Sequence, residues 1–223
     1  MKMYNLDGSE GKMCGNGIRC VGKFLYDHGM VDINEKDEIT IETLSGIKKL
    51  KAYTSGGKVN RLRVDMGKAI LDPKEIPVVL DGDKVVDRPV EIAGKNYNIT
   101  CVSMGNPHCV VFMDDIDNLD IETVGPEFEN DKLFPERVNT EFVTVLDDHT
   151  IKMRVWERGS GETWACGTGA CAVAVAACEN GFCKKGEDIK IKLKGGDLII
   201  NYTDETVYMT GNAEKVFEGE VEV

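Results

Sequence analysis

The chain has 223 residues, of which 42% are hydrophobic and 30% are charged, as in an ordinary soluble globular protein. Its formal net charge of −12 disfavours nucleic acid and anionic membrane as partners, because both bind clustered Lys and Arg. No apolar run is long enough to cross a bilayer, and the opening residues lack the apolar stretch of a signal peptide. We therefore expect a cytoplasmic protein with one large domain or two modest ones.

Eight cysteines are many for a cytoplasmic chain, but their spacing does not indicate zinc. No C-x2-C pair occurs, and the three histidines, His28, His108 and His149, lie far apart in the sequence. Without a secretory signal most of the thiols should be reduced. We expect neither a metal site nor a disulfide framework.

The hydrophobic pattern predicts many strands and two long helices. The first helix runs from about Gly17 to His28 and carries one apolar stripe, formed by Ile18, Val21, Phe24 and Leu25. The second runs from about Gly169 to Asn180 and is small and apolar on every side, which predicts a helix enclosed by strands. The predicted strands are 39–44, 47–53, 59–66, 97–103, 108–113, 140–146, 150–157, 189–194, 197–202 and 206–210.

The two helices open with one repeated pattern. CGNG begins at Cys14 and CGTG at Cys166, and Gly29 and Gly181 each follow fifteen residues after the cysteine. A predicted strand then follows at nearly the same distance in both copies, which indicates two lobes of like construction. We expect an α+β fold whose pseudo-symmetric lobes each wrap a mostly antiparallel sheet around a helix. The first lobe should comprise 1–67, completed by a strand near 212–223, and the second 68–211.

A cysteine directly before a helix is placed for proton transfer. The positive end of the helix dipole and the unpaired N–H groups favour a thiolate, so we expect a lowered pKa for Cys14 and Cys166. If both helix N-termini bind one carboxylate, a sulfur lies on each side of the adjacent carbon. One thiolate then removes the α-proton, and the opposite thiol returns a proton to the other face.

The alternative interpretation of a buried cysteine is a small hydrophobic residue. We adopt that interpretation for the six cysteines that do not precede a Gly-x-Gly helix start, namely Cys20, Cys101, Cys109, Cys171, Cys178 and Cys183.

Five sequence blocks, in order, resemble diaminopimelate epimerase. They are NLDGSE at 5–10, MCGNGIRC at 13–20, SMGNPH at 103–108, RVNTEF at 137–142 and WERGSGETWACGTGA at 156–170. The match extends from Asn5 to the C-terminus. The related proline racemases share the paired-cysteine plan but usually carry His after the first Cys-Gly, where this chain has Asn16.

The resemblance implies interconversion of LL- and meso-diaminopimelate without pyridoxal phosphate or metal, by a homodimer that acts on a small amino-acid substrate. It implies that Cys14 and Cys166 are the acid–base pair. The residues implied to cradle the reacting carboxylate are Gly15, Asn16, Gly167 and Thr168. Those implied to hold the α-ammonium are Asn5 and Glu157, and those implied to read the distal amino-acid end are Asn106, Asn139 and Arg158.

Plainer interpretations stay open for several of these residues. Glu157 and Arg158 could be solvated charges on a strand, Asn106 part of a turn, and Asn139 a strand-end residue. His108 either tunes a neighbouring thiol, which we favour, or is a hydrogen-bonded histidine in the lobe interface.

The chain departs from the family pattern at its start. Family members carry further N-terminal strands with an HGLGNDF-type motif, which contribute an Asn and a later Gln to the substrate site; neither is present in this sequence. We therefore expect an incomplete first lobe with unpaired strand edges. The alternative to an epimerase is accordingly an inactive fragment that binds amino acids or a partner without turnover.

Two other enzyme classes fit parts of the pattern. The segment 167–172 matches a dinucleotide-binding G-x-G-x-x-A, with Glu187 twenty residues after Gly167. That class requires strands that alternate with helices, which the sequence lacks. A cysteine hydrolase with Cys166 as nucleophile and His108 as base would leave the duplicated Cys14 unit unexplained.

Overall fold

The computed structural model describes residues 1–4, 8, 10–11, 13–33 and 37–220. These residues form the predicted α+β fold, in two compact units: Met1–Val64 with Thr210–Val223, and Asp65–Met209. No helix in the described ranges is both long enough and apolar enough to cross a membrane. In chain order the elements are α1 (Gly15–Asp27), β1 (Glu38–Thr43), β2 (Gly46–Ser55), β3 (Lys58–Asp65), β4 (Arg88–Ile92), β5 (Lys95–Ser103), β6 (Pro107–Phe112), α2 (Ile121–Glu129), β7 (Asn139–Asp147), β8 (Thr150–Glu157), β9 (Gly161–Thr163), α3 (Gly167–Glu179), β10 (Asp188–Leu193), β11 (Gly196–Tyr202) and β12 (Val207–Asn212).

Both predicted helices and all ten predicted strands are present, with ends that differ by a few residues. Three elements were not predicted. The helix α2 contains Gly125 and Pro126, and proline normally ends a helix because it lacks the N–H group. The strand β4 contains Pro89, and β9 has only three residues. The strand predicted near 212–223 is not formed over 213–220: β12 ends at Asn212, and the following eight residues form neither helix nor strand.

In the first unit, α1 lies against the antiparallel strands β1, β2 and β3. The helix backbone comes close to the sheet at Gly22, where an added Cβ would lie 2.8 Å from Leu62 Cδ2 and 3.0 Å from Leu50 Cδ2. Ile18 of the predicted stripe is therefore buried together with Gly22, whereas Phe24 of the same stripe is 51% exposed.

In the second unit, the sheet has the order β4-β5-β6-β7-β8-β10-β11, with β9 beside β8. The pairs β6–β7 and β8–β10 are parallel, and the hairpin pairs are antiparallel. The helix α3 contacts β5, β6, β7, β10 and β11, and ten of its 13 residues are buried. The predicted enclosed helix is thus confirmed, and only Ala-sized and Val-sized side chains let five strands approach it.

A hydrophobic cluster fills the side of this sheet away from α3. Phe128 of α2 meets Phe142 of β7 edge to face, with ring centroids 5.4 Å apart. Because side chains alternate along a strand, the neighbours Asn139 and Glu141 point to the α3 side. Burial of Phe142 in this cluster therefore determines which polar side chains of β7 lie on the face of the sheet that α3 covers.

We predict that Gly125→Ala destabilises the protein. The new Cβ would lie 2.3 Å from Trp156 Cδ2, and the indole is held in place because its Nε1 donates to Glu129 Oε2 at 2.7 Å. Overpacking of this kind costs about 1–3 kcal/mol, whereas Gly→Ala in an unobstructed helix stabilises by roughly 0.5–1 kcal/mol. We expect urea denaturation to show a net loss of about 1–2 kcal/mol in the free energy of unfolding.

The matched control is Gly219→Ala, where an added Cβ meets nothing within 4 Å. Its unfolding free energy should stay within about 0.5 kcal/mol of the parent value. An increase in stability for Gly125→Ala would contradict the close packing of Trp156.

Candidate active site

Each of the two predicted cysteines is the N-cap of a helix. Cys14 precedes α1 and its Sγ accepts a hydrogen bond from the N–H of Gly17 at 3.3 Å. Cys166 precedes α3 and its Sγ accepts from the N–H of Gly169 at 3.4 Å. The backbone at both cysteines is extended, as is usual for an N-cap. The sulfur thus takes the role that a Ser or Asp oxygen has at most helix starts, and its position relative to the first turn is fixed.

In the first unit a buried arginine organises the motif that follows Cys14. Arg19 donates through Nη1 to the carbonyl of Gly15 at 3.1 Å and through Nη2 to Asn16 Oδ1 at 3.1 Å. Its Nε donates to the carbonyl of Asn212 at 3.3 Å. The guanidinium therefore orients the side chain of Asn16, a residue that the family resemblance implies to cradle the reacting carboxylate. The predicted site residue Asn5 lies outside the described residues.

In the second unit a chain of hydrogen bonds leads away from Cys166. Its Sγ lies 3.5 Å from Thr168 Oγ1, which accepts from Asn106 Nδ2 at 3.3 Å. Asn106 Oδ1 lies 3.1 Å from His108 Nε2. The structure thus brings four of the predicted site residues together, and Gly167 lies between Cys166 and Thr168 in the first turn of α3. His108 contacts Asn106 rather than the sulfur, so the Cys–His pair of a hydrolase is not formed.

A buried carboxylate that the sequence analysis did not single out continues this chain. Glu141 Oε1 lies 2.7 Å from His108 Nδ1, and both side chains are fully buried. The second oxygen, Oε2, has no hydrogen-bond partner among the described residues. Glu141 therefore places a carboxyl group beneath the helix start that carries Cys166.

The predicted lowering of the pKa at Cys166 is wrong for this structure. Burial raises the pKa of the Cys166 thiol well above its ordinary value, and the charges of Glu157 and Glu141 raise it further. The hydrogen bonds from Thr168 and from the N–H of Gly169 act in the opposite direction but are the weaker effect. Desolvation penalises a thiolate, and here it outweighs the two hydrogen bonds to the sulfur.

The remaining predicted residues meet at the turn between β8 and β9. Asn139 donates through Nδ2 to the carbonyl of Pro107 at 2.8 Å and accepts from the N–H of Arg158 at 3.0 Å. It thereby ties the start of β6 to this turn. The Arg158 guanidinium donates to the carbonyl of Glu136 at 2.7 Å, and the Thr163 hydroxyl donates to the carboxylate of Glu157.

A second unpredicted carboxylate anchors the same turn. Glu129, which is 6% exposed, accepts from Trp156 Nε1 at 2.7 Å, from the N–H of Gly159 at 2.9 Å and from Arg137 Nη1 at 3.0 Å. The bonds from Trp156 and Gly159 hold the chain on both sides of Glu157 and Arg158. The sequence analysis did not identify Glu129 because it lies in α2, a helix that was not predicted.

Within the described ranges, no cluster of three His, Cys, Asp or Glu side chains is arranged to hold a metal ion.

Comparison with known proteins assigns the chain to a family. The sequence profile of the family described as diaminopimelate epimerase matches residues 1–71 and 100–216. Curated relatives named diaminopimelate epimerase from Agathobacter rectalis and Acetivibrio thermocellus are 52% and 53% identical. Both alignments cover 100% of this chain, and 80% and 79% of the respective relatives.

Solved structures agree at the level of the fold. A probable proline racemase from Agrobacterium radiobacter matches with a TM-score of 0.72 and 16% identity, over 95% of this chain and 68% of that one. A predicted epimerase from Pseudomonas aeruginosa matches with a TM-score of 0.62 and 18% identity, over 97% of this chain and 79% of that one. With its N-cap cysteines, its fold and sequence identities above 50% to curated relatives, this chain belongs to the diaminopimelate epimerase family.

Proposed function

We propose that this protein interconverts LL- and meso-2,6-diaminopimelate by two-base α-proton transfer between Cys14 and Cys166. The observation that carries the proposal is the duplicated N-cap cysteine, each followed by Gly-x-Gly at a helix start, in a chain of this family. The family resemblance also supports a cytoplasmic homodimer in lysine and cell-wall precursor biosynthesis. We further propose that the two units correspond to the two lobes of the enzyme.

The proposed reaction needs one thiolate and one thiol at a time. The thiolate takes the α-proton and becomes a thiol, while the opposite thiol gives its proton to the other face and becomes a thiolate. The proton count is unchanged, and reversal uses the same two groups in exchanged roles. Burial raises the pKa of Cys166, which favours the thiol form that the proton-donor role requires.

The charge that develops on the substrate spreads into its carboxylate. We assign binding of this carboxylate to the first turns of α1 and α3, namely Gly15, Asn16, Gly167 and Thr168. N–H groups in a first helical turn have no partner within the helix and favour an anion. Donors that are already oriented stabilise the transition state without reorganisation, and the Arg19 contact to Asn16 supports such preorganisation.

The remaining assignments follow the family resemblance. Glu157 and Asn5 are proposed to hold the α-ammonium group, and Asn106, Asn139 and Arg158 to read the distal amino-acid end. The contacts of Asn139 with backbone on two sides support a positioning role for it. His108 is proposed to tune Cys166 through Asn106 and Thr168.

No comparison favours the alternative of an inactive fragment that binds without turnover. The curated relatives from Agathobacter rectalis and Acetivibrio thermocellus are matched over 80% and 79% of their length, and both are named as epimerases. The alternative nevertheless makes a distinct prediction, which is substrate binding without α-proton exchange.

We predict that the reduced protein exchanges the α-proton of LL-diaminopimelate in D2O and forms the meso isomer, as followed by NMR. Cys14→Ala and Cys166→Ala should each abolish epimerisation, because inversion needs one group on each face of the carbon. Cys20→Ala is the matched control: this cysteine is exposed and is expected to leave the rate unchanged. Binding without exchange would support the fragment alternative, and activity in either single-cysteine variant would contradict the two-base mechanism.

We predict that alkylation of Cys166 by iodoacetamide rises with pH only above the range of an ordinary thiol. The raised pKa keeps the sulfur protonated near neutral pH, and the thiolate is the reactive form. Peptide mass spectrometry over a pH series, with N-acetylcysteine as reference, measures the midpoint. Glu157→Gln should move the midpoint down, because the Glu157 charge raises this pKa. A Cys166 midpoint at or below the reference would contradict the dominance of burial.

A further inference from the structure

Glu141 is a fully buried carboxyl group to which the proposed reaction gives no role. Its Oε1 lies 2.7 Å from His108 Nδ1, and its Oε2 has no hydrogen-bond partner within the described part of the chain. Burial raises the pKa of Glu141, while the imidazole of His108 acts to lower it. A buried carboxyl–imidazole contact of this kind is a weak source of stability, because desolvation offsets the attraction. Its position next to the Cys166 motif calls for another explanation.

The start of α3 is shaped around this carboxyl group. A Cβ added at Gly169 would lie 2.5 Å from Glu141 Oε1 and 3.2 Å from the Cβ of Cys166. Glycine at this position therefore admits both the carboxylate and the sulfur beside the first turn. The same residue donates its N–H to Cys166 Sγ at 3.4 Å. Gly169 therefore lies beside both Glu141 and Cys166, the two ends of the hydrogen-bond chain.

The hydrogen bonds that link His108 to Cys166 through Asn106 and Thr168 can be donated in either of two directions. With Asn106 Oδ1 facing His108 Nε2, that nitrogen donates, Asn106 Nδ2 donates to Thr168, and the hydroxyl proton is available to the Cys166 sulfur. With the amide turned over, Nε2 accepts and each donor along the chain reverses, so that the Cys166 thiol donates to Thr168. In the first arrangement the sulfur is a thiolate and Nε2 carries a hydrogen; in the second the sulfur carries the hydrogen and Nε2 carries none. The two arrangements therefore differ by one proton shifted from Nε2 to the sulfur, and the total is unchanged. In both arrangements an ionised Glu141 requires that Nδ1 carry a hydrogen and donate it, because a carboxylate can only accept.

We propose that Glu141 is a positioning residue that holds a hydrogen on His108 Nδ1 and so leaves Nε2 as the nitrogen that couples, through Asn106 and Thr168, to the Cys166 thiol. The proposal deepens the proposed epimerase function and rests on it for its effect on rate. Its structural part, the state of the imidazole, is independent of turnover. A carboxylate that fixes the tautomer of a histidine acting at its other nitrogen is a known way to control such a ring.

The first test is NMR of the wild-type protein labelled with 15N-histidine. Only three histidines are present, and the rings of His28 and His149 are exposed or half-exposed, so the buried ring is distinguishable. We expect a protonated Nδ1 at His108 whose hydrogen resonates far downfield and exchanges slowly with water. An Nδ1 without a hydrogen would overturn the proposal, whether or not the protein turns over diaminopimelate.

The second test replaces the carboxylate. Glu141→Met removes the acceptor at similar volume and is expected to abolish the slowly exchanging Nδ1 hydrogen and to lower kcat by about 10- to 100-fold. KM should change by a smaller factor than kcat, because Glu141 contacts His108 and not the proposed substrate-binding residues Asn106 and Thr168. Glu141→Gln retains an oxygen acceptor without charge and should lose less of kcat.

The matched control is Glu162→Gln, which removes a carboxylate paired with Arg154 at 2.7 Å and Lys194 at 2.8 Å. It should leave the His108 signal and kcat unchanged. A folded Glu141→Met protein with the wild-type kcat would overturn the coupling. If that variant does not fold, the wild-type spectrum and Glu141→Gln decide. Absence of epimerisation in the wild type would instead count against the proposed function alone.

Discussion

The hydrogen bond that a helix donates to a cysteine sulfur at its N-cap is the interaction on which the candidate site depends. It occurs twice, at Cys14 and at Cys166, and in both cases the donor is the glycine three residues on. The bond fixes each sulfur relative to the backbone N–H groups of the same turn. In the proposed mechanism, the base and the anion site are therefore both built from this one short motif, which contains glycine and needs no basic side chain.

The surroundings of Cys166 oppose the helix dipole. Five strands enclose α3 and exclude water from the sulfur, and the charges of Glu157 and Glu141 also disfavour a thiolate. The N-cap hydrogen bond and the Thr168 hydroxyl act the other way. A thiol held protonated in this manner suits the proton-donor role proposed for it, and in our proposal the hydrogen bonds through Thr168 and Asn106 couple this thiol to His108. Burial and orientation thus jointly define the chemistry that the motif can perform.

Much of the fold followed from local patterns. Both Cys-Gly-x-Gly helices and ten strands were predicted, because apolar periodicity and glycine-containing turns report directly on backbone geometry. The exceptions have physical causes. In α2, Pro126 interrupts the local helix signal, yet Phe128 and Val124 pack into the core and stabilise the helix through tertiary contacts. In α1, Gly22 approaches Leu62 closely, and the buried face includes Ile18 of the predicted stripe but leaves Phe24 exposed.

The residue types and their order were sufficient to identify the paired cysteines, their helices and the resemblance to the epimerase family, since these features depend on neighbours along the chain. Three properties emerged only from folding: the raised pKa of Cys166, the contact of Glu141 with His108, and the hold of Glu129 on the turn after β8. Each joins residues from different strands or helices. Desolvation and long-range hydrogen bonds depend on which segments enclose a group, and no spacing within one segment encodes that.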